Sequence, residues 1–291
     1  MKHYKTLKLR VKDKHTKELT KLATQVNFVW NYTKDLRLKV LSRENRFMSA
    51  YDVASYTKGN ELDIHSQTVQ AITEEYCLRS KQFKKPALRW RVSNKKSSKR
   101  SLGWIPFKKV GIKVEHGQVR YSGTWYSLWD SYGNLNDYNI KSGSFVEDAR
   151  GRWYVCLVVE VEVEQSKGTG SIGIDLGLKD VGTTSEGEVI TNPRFYRKYE
   201  SKLGIAQRSK NKKRTRALHA KIANCRRDYL QKETTKLVKE NGMIIVGNLS
   251  ATALTASGSG KSVNDCGFAA CRTMLRYKCR SEEHTSELQS L

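Results

Sequence analysis

Acidic residues are scarce in this chain of 291 residues: 29 Asp and Glu stand against 54 Lys and Arg, a formal net charge of +25. That imbalance points to a polyanionic partner. Long apolar runs are missing as well. The run of note is Val155 to Val159, too short to span a membrane. The N-terminus, Met1-Lys-His-Tyr-Lys-Thr-Leu-Lys-Leu-Arg10, lacks the continuous apolar stretch of a secretory signal. None of Cys77, Cys156, Cys225, Cys266, Cys271 and Cys279 form a Cys-x-x-Cys pair, so neither a disulfide framework nor a paired-knuckle zinc site is expected. These absences fit a reducing, cytoplasmic setting. What is present in quantity is apolar side chain, 38% of residues, ample for buried cores. The length suggests two domains.

Residues 280 to 290, Arg-Ser-Glu-Glu-His-Thr-Ser-Glu-Leu-Gln-Ser, resemble the in-frame translation of a sequencing-library adapter. Residues 280–291 are therefore expected to be foreign, and the natural protein is expected to continue past Cys279.

Between residues 13 and 45, Leu19, Leu22, Val26, Val29, Leu36 and Val40 keep the three-four spacing of an amphipathic helix, with Trp30 and Tyr32 thickening its face. A second helix is expected from Ser66, as N-cap, to Phe83. From Lys84 to Lys113 there are eleven Lys or Arg and no acid, with Trp90, Trp104 and Phe107 among them. Its centre, residues 93–100, reads as a flexible loop. Cations there neutralise phosphates and rings stack on exposed bases, which nominates Lys84, Lys85, Arg89, Arg91, Trp104, Lys108 and Lys109 as nucleic-acid contacts. Residues 104 to 165 then alternate like strands, with Gly117, Gly133, Gly143 and Gly151 at hairpin intervals. An antiparallel sheet or small barrel is expected, followed by a linker at 165–170.

Ser171-Ile-Gly-Ile-Asp-Leu-Gly-Leu-Lys-Asp180 carries the most chemistry. A short apolar strand delivers Asp175, Gly177 turns the chain, and strands at 181–185 and 188–190 follow around a Glu186-Gly187 hairpin. Strand-Asp-turn-strand-turn-strand opens an RNase H-like fold, whose carboxylate on a rigid strand holds a divalent metal against a phosphodiester. Sugar kinases and chaperone ATPases open with a similar turn. Next, residues 194–227 hold thirteen Lys or Arg against one acid, Glu200. A helix packed on one side and cationic on the other fits a nucleic-acid groove, which nominates Lys210, Lys212, Lys213, Arg214, Arg216, Arg226 and Arg227. A buried-type strand at 243–250, a polar loop at 251–260 and a helix at 263–278 complete the chain.

The order of these pieces resembles the TnpB/OrfB family, transposon-encoded proteins related to the type V CRISPR effectors. The resemblance rests on Ile172-Gly-Ile-Asp-Leu-Gly177, Asn211-Lys-Lys-Arg-Thr-Arg216, Ile244-Ile-Val-Gly-Asn-Leu-Ser250 and Thr273-Met-Leu-Arg-Tyr-Lys278. It implies an RNA-guided DNA endonuclease with a guide RNA from the transposon end and double-stranded target DNA as partners, and no membrane. Guide–target pairing reads the sequence while the protein supplies cationic channels. The implied architecture is α+β and multidomain. Residues 1–165 form helices with an antiparallel β-barrel-like, oligonucleotide-binding-like domain, and 171–279 form an incomplete RNase H-like (RuvC) α/β domain. The implied chemistry uses three carboxylates and two Mg²⁺ ions, and Asp175 matches the first carboxylate. The family places Glu after the Ile/Val strand, where this chain has Gly247 followed by Asn248. Glu240 and Asp265 are the in-chain replacements to consider. The third Asp and a zinc ribbon are expected past Cys279. The spacing of Cys266, Cys271 and Cys279 does not suit a tetrahedral zinc site.

The expectation is a transposon-associated, nucleoid-located nuclease that does not cleave as this fragment. The alternative, motivated by Gly247, is a nuclease-dead relative acting by occupancy. A generic basic RNA-binding protein explains the charge but not the Ile-Gly-Ile-Asp strand.

Overall fold

The computed structural model describes residues 2–57, 59, 61–129, 131–133, 135–162, 168–247 and 249–281. The chain divides into two compact units, Lys2–Val161 and a second that begins at Glu162. Among the described residues no helix is long and apolar enough to cross a membrane.

The first unit begins with β1 (Lys2–Val11), whose Leu7, Leu9 and Val11 alternate into the core. Helix α1 (Thr16–Glu44) follows. Its N-terminal half buries Leu19, Leu22, Val26 and Val29, as the spacing predicts, but its later half buries Thr33, Lys34 and Arg37 in place of Leu36 and Val40. The short helix α2 (Ala50–Tyr56) starts on a capping box between Ser49 and Asp52. Helix α3 (Ser66–Gln82) starts one residue earlier than the Ser66 cap would give: His65 Nδ1 accepts from Gln67 N–H at 3.1 Å.

Strands β2 (Trp104–Lys108), β3 (Ile112–Glu115), β4 (Gln118–Tyr121), β5 (Thr124–Trp129), β6 (Asn139–Glu147) and β7 (Trp153–Glu162) join β1 in a seven-stranded sheet, order β2-β6-β7-β1-β5-β4-β3. The sheet is built largely of antiparallel pairs and is nearly closed. Gly117, Gly133 and Gly151 take left-handed conformations in turns. Gly143 instead lies within β6, where a Cβ would collide with the Phe107 ring and the Cys156 carbonyl. One aromatic-rich core, including Phe107, Tyr121, Tyr126, Phe145 and Trp153, joins the sheet to α1 and α3.

The second unit is a four-stranded sheet, order β10-β9-β8-β11, from β8 (Gly170–Leu176), β9 (Gly182–Thr184), β10 (Val189–Ile190) and β11 (Asn241–Val246). β8 pairs antiparallel with β9 and parallel with β11. A parallel neighbour needs a crossover, and α4 (Phe195–Arg208) and α5 (Lys212–Glu240) supply it. Where a loop is expected at 251–260, the backbone is helical: α6 (Ala251–Leu254), then a wide turn at Thr255–Ser259 with Gly258 left-handed at φ 89°. The single helix expected over 263–278 is two, α7 (Gly260–Cys266) and α8 (Phe268–Ser281), because Gly267 at φ 78° ends the first. Ile172, Ile174, Val246, Leu237, Phe268 and Leu275 share its core.

Candidate functional site

On β8 the period-two alternation buries Ile172, Ile174 and Leu176 and leaves Asp175 exposed, opposite Thr183 of β9. Beside it β11 ends, and Gly247 N–H donates to the Ile174 carbonyl at 3.0 Å. A Cβ at Gly247 would lie 3.5 Å from Asp175 Oδ1, ordinary contact. The position that the resemblance gives to a glutamate is therefore the neighbour of Asp175 across the parallel strand pair. Asn248 lies outside the described residues.

Neither replacement carboxylate reaches this edge. Glu240 directly precedes Asn241, which pairs with Gly170 at the far end of β8. Five strand positions separate Gly170 from Asp175, about 16 Å at ~3.3 Å per residue. Asp265 is 5% exposed and already engaged. Its carboxylate accepts from the backbone N–H groups of Tyr196 (2.7 Å) and Arg197 (3.3 Å), closing the start of α4, where Arg194 provides no side-chain cap.

Two divalent ions need several hard oxygen donors around them. Among the described residues no group of three or more His, Cys, Asp or Glu could hold a metal. The described residues do not fit the two-metal chemistry that the resemblance implies. Cys266, Cys271 and Cys279 are buried in the apolar core. Burial pushes the Cys266 thiol up to about 12 and the Cys271 thiol up to about 11, so both stay protonated at neutral pH. Cys266 Sγ–H donates to the Gly177 carbonyl at 3.3 Å, which ties α7 to the turn after Asp175.

The second cationic cluster lies on α4 and α5. Lys210 turns left-handed (φ 53°) between them, and the Asn211 side chain caps α5 by accepting from Arg214 N–H at 2.9 Å. Lys212, Lys213, Arg214 and Arg216 are all exposed, while Leu218, Ile222 and Leu230 bury the opposite side. No acid occupies the first turn of α5. Cations at a helix N-terminus oppose its dipole, each by roughly 0.3–1 kcal/mol. Farther along, Arg226 and Arg227 border an open cavity of about 750 Å³ whose other lining is mostly apolar, including Leu230, Val263, Phe268 and Met274.

The first cationic cluster is divided in its use. Lys84, Lys85 and Arg89 are exposed. Arg91 is turned inward: its Nε donates to Asn27 Oδ1 (2.5 Å), its Nη2 to the Leu102 carbonyl (2.8 Å), and its guanidinium sits 5.8 and 5.6 Å from the rings of Trp30 and Trp104. Burial lowers its pKa from the ordinary arginine value. Lys108 pairs with Glu74 (2.8 Å), and Lys109 donates to Asn139 Oδ1 (3.4 Å). Arg91 and Trp104 thus serve the unit's own packing, while Lys108 sits in an exposed ion pair. The loop expected at 93–100 is pinned at both ends: Asn27 Nδ2 donates to Ser93 Oγ (2.9 Å), and Arg100 forms a salt bridge with the buried Glu147 (2.7 Å). Sequence reasoning missed Lys34, which a strongly apolar helix face gave no reason to single out.

Known proteins resemble the chain in the same sense. The OrfB_IS605 family, described as "probable transposase", matches residues 154–257. A Streptomyces pristinaespiralis protein with the provisional name RNA-guided DNA endonuclease is 27% identical over 290 residues, covering 92% of this chain and 72% of that protein. The similarly named InsQ of Escherichia coli K12 is 29% identical over 163 residues, 46% of this chain and 40% of InsQ. Two cryo-EM structures overlap more distantly. A Cas12f1–sgRNA–target DNA complex has a TM-score of 0.37 at 15% identity, covering 99% of this chain and 85% of that one. A CRISPR-Cas12f ternary complex has 0.35 at 13%, covering 96% and 72%. Scores of that size do not imply a shared fold. The family match and the two relatives agree with the motifs that carry the resemblance to TnpB.

Proposed function

We propose that this TnpB-like chain binds a guide RNA and double-stranded target DNA as part of an RNA-guided endonuclease system of transposon origin, and that in its present form it binds without cutting. In this reading residues 2–161 are the oligonucleotide-binding-like half, and the unit around β8 and β11 is an RNase H-like, RuvC-type nuclease domain acting on nucleoid DNA. The exposed cations of the 84–89 segment and of α5 would track phosphate backbones, which needs charge but no base-specific contacts.

One observation carries the second half of the proposal. The Cβ position of Gly247 is 3.5 Å from Asp175 Oδ1, so the place for a second carboxylate exists and is empty of any side chain. Among the described residues no three His, Cys, Asp or Glu gather to hold a metal, and a carboxylate without such partners cannot assemble two metal ions between a water and a leaving oxygen. The same glycine favours the second reading, a nuclease-dead relative that regulates by occupying its target.

The test is to incubate the full chain with transposon-end RNA, matching duplex DNA and Mg²⁺, and to resolve the products on a denaturing gel. Retarded but uncut DNA is the expected result. Magnesium-dependent cutting by the chain, abolished by Asp175→Ala, would overturn the proposal.

A further inference from the structure

A second open groove, about 570 Å³, lies within the Lys2–Val161 unit and is lined by α1, α3 and residues 88–104. Its cations Arg79, Arg89 and Lys99 face a single acid in that lining, Glu75, already paired with Arg79 at 2.7 Å. Trp30 and Trp104, edge-on to one another at 6.2 Å, form its back with Arg91 beside both rings. Phe83 and Trp90 border it and are 55% and 52% exposed.

The exposure of Trp90 is built rather than incidental. The Lys34 ammonium stands 4.1 Å from the centre of its ring, although Lys34 is itself only 7% exposed. A cation over the face of a Trp ring is attracted by the ring's quadrupole, more strongly where water is excluded, which favours this placement of the indole. Both neighbours of Trp90 are anchored on α1. The Trp30 Nε1–H donates to the Arg89 carbonyl (3.2 Å), while Asn31 accepts from Arg91 N–H (2.8 Å) and donates to its carbonyl (2.9 Å). A segment without helix or strand thus presents one indole between two anchored neighbours, backed by a cation and half open to water.

We propose that this groove takes unpaired bases of single-stranded RNA, stacked on Trp90 and Phe83 with their phosphates on Arg79, Arg89 and Lys99. Only an unpaired base can lay its face on an aromatic ring; a duplex offers edges and backbone. The choice of RNA rests on the proposed function, in which the guide presents unpaired bases without first being opened, whereas the target is a duplex.

The experiment measures binding of the full chain to labelled single-stranded RNA, single-stranded DNA of the same sequence, and duplex DNA by fluorescence anisotropy. Trp90→Ala is expected to weaken RNA binding about tenfold, the scale of one lost stacking contact, and to leave duplex binding unchanged. Trp90→Phe, which keeps a ring, is expected to hold most of the RNA affinity. Circular dichroism identical to wild type accompanies each variant. An equal loss on duplex DNA, a Trp90→Phe variant as weak as Trp90→Ala, or no loss at all overturns the inference. Equal losses on both single strands overturn the assignment to RNA. A wild-type chain that binds no RNA sinks the proposed function together with this inference, whereas wild-type binding indifferent to Trp90 sinks this inference alone.

Discussion

At position 247 the backbone comes as close to Asp175 as a partner carboxylate would require, and its φ lies outside the left-handed region, so a side chain can be added there without strain. Gly247→Glu is therefore expected to create saturable Mn²⁺ binding, measured by calorimetry, that the parent chain lacks. With two carboxylates and no further ligand cluster among the described residues, affinity should sit near the weak end of protein sites, about 10⁻³ M. Adding Asp175→Asn to Gly247→Glu should remove it, and persistence of the signal would show that the ion binds elsewhere. This pairing was legible in the sequence because the slot follows a short apolar strand and the resemblance names it. The fates of Glu240 and Asp265 were not. Which end of a strand a residue joins, and whether a carboxylate is already capping a distant helix, are set by pairing across 69 residues from Tyr196 to Asp265, not by local pattern.

Helices were readable where one apolar face did the packing and less so where polar groups took its place. α1 is found from Leu19 to Val29, but its buried Thr33, Lys34 and Arg37 break the apolar rhythm. α2 carries a legible signal, the Ser49-x-x-Asp52 box, that its short length hid. The break between α7 and α8 turns on Gly267, a C-terminal glycine of ordinary kind. At α4 the side-chain acceptor for the first amides is Asp265, with two bonds from a buried carboxylate to Tyr196 and Arg197. Asp265→Ala leaves those amides without their acceptor. It should destabilise the unit by about 1–3 kcal/mol, seen as a lowered thermal midpoint, with Asp265→Asn losing less because its amide oxygen still accepts. A melt unchanged in Asp265→Ala would mean that the start of α4 contributes little to this unit.

Across the molecule, +25 of net charge was plain from composition, but composition does not say which cations the fold consumes. Lys34 backs a Trp ring, Arg91 holds the 89–102 segment, and Lys278 ties α8 to α5 through the Gln231 carbonyl and Thr234 and Thr235 hydroxyls (2.8, 2.8 and 2.6 Å). Those have packing partners; the start of α5 has the reverse, cations gathered where the helix dipole opposes them. The two demands can be pulled apart. Changing Lys212, Lys213, Arg214 and Arg216 together to Gln removes four positive charges while keeping good helix formers. The thermal midpoint should hold or rise slightly, since an unfavourable charge–dipole term disappears. Nucleic-acid affinity should fall, and the slope of log K against log salt on single strands should become shallower by about 3, close to 0.7 for each lost phosphate contact. A slope that does not move would place the phosphates elsewhere on the chain, and a midpoint that drops would show that these cations stabilise α5 after all.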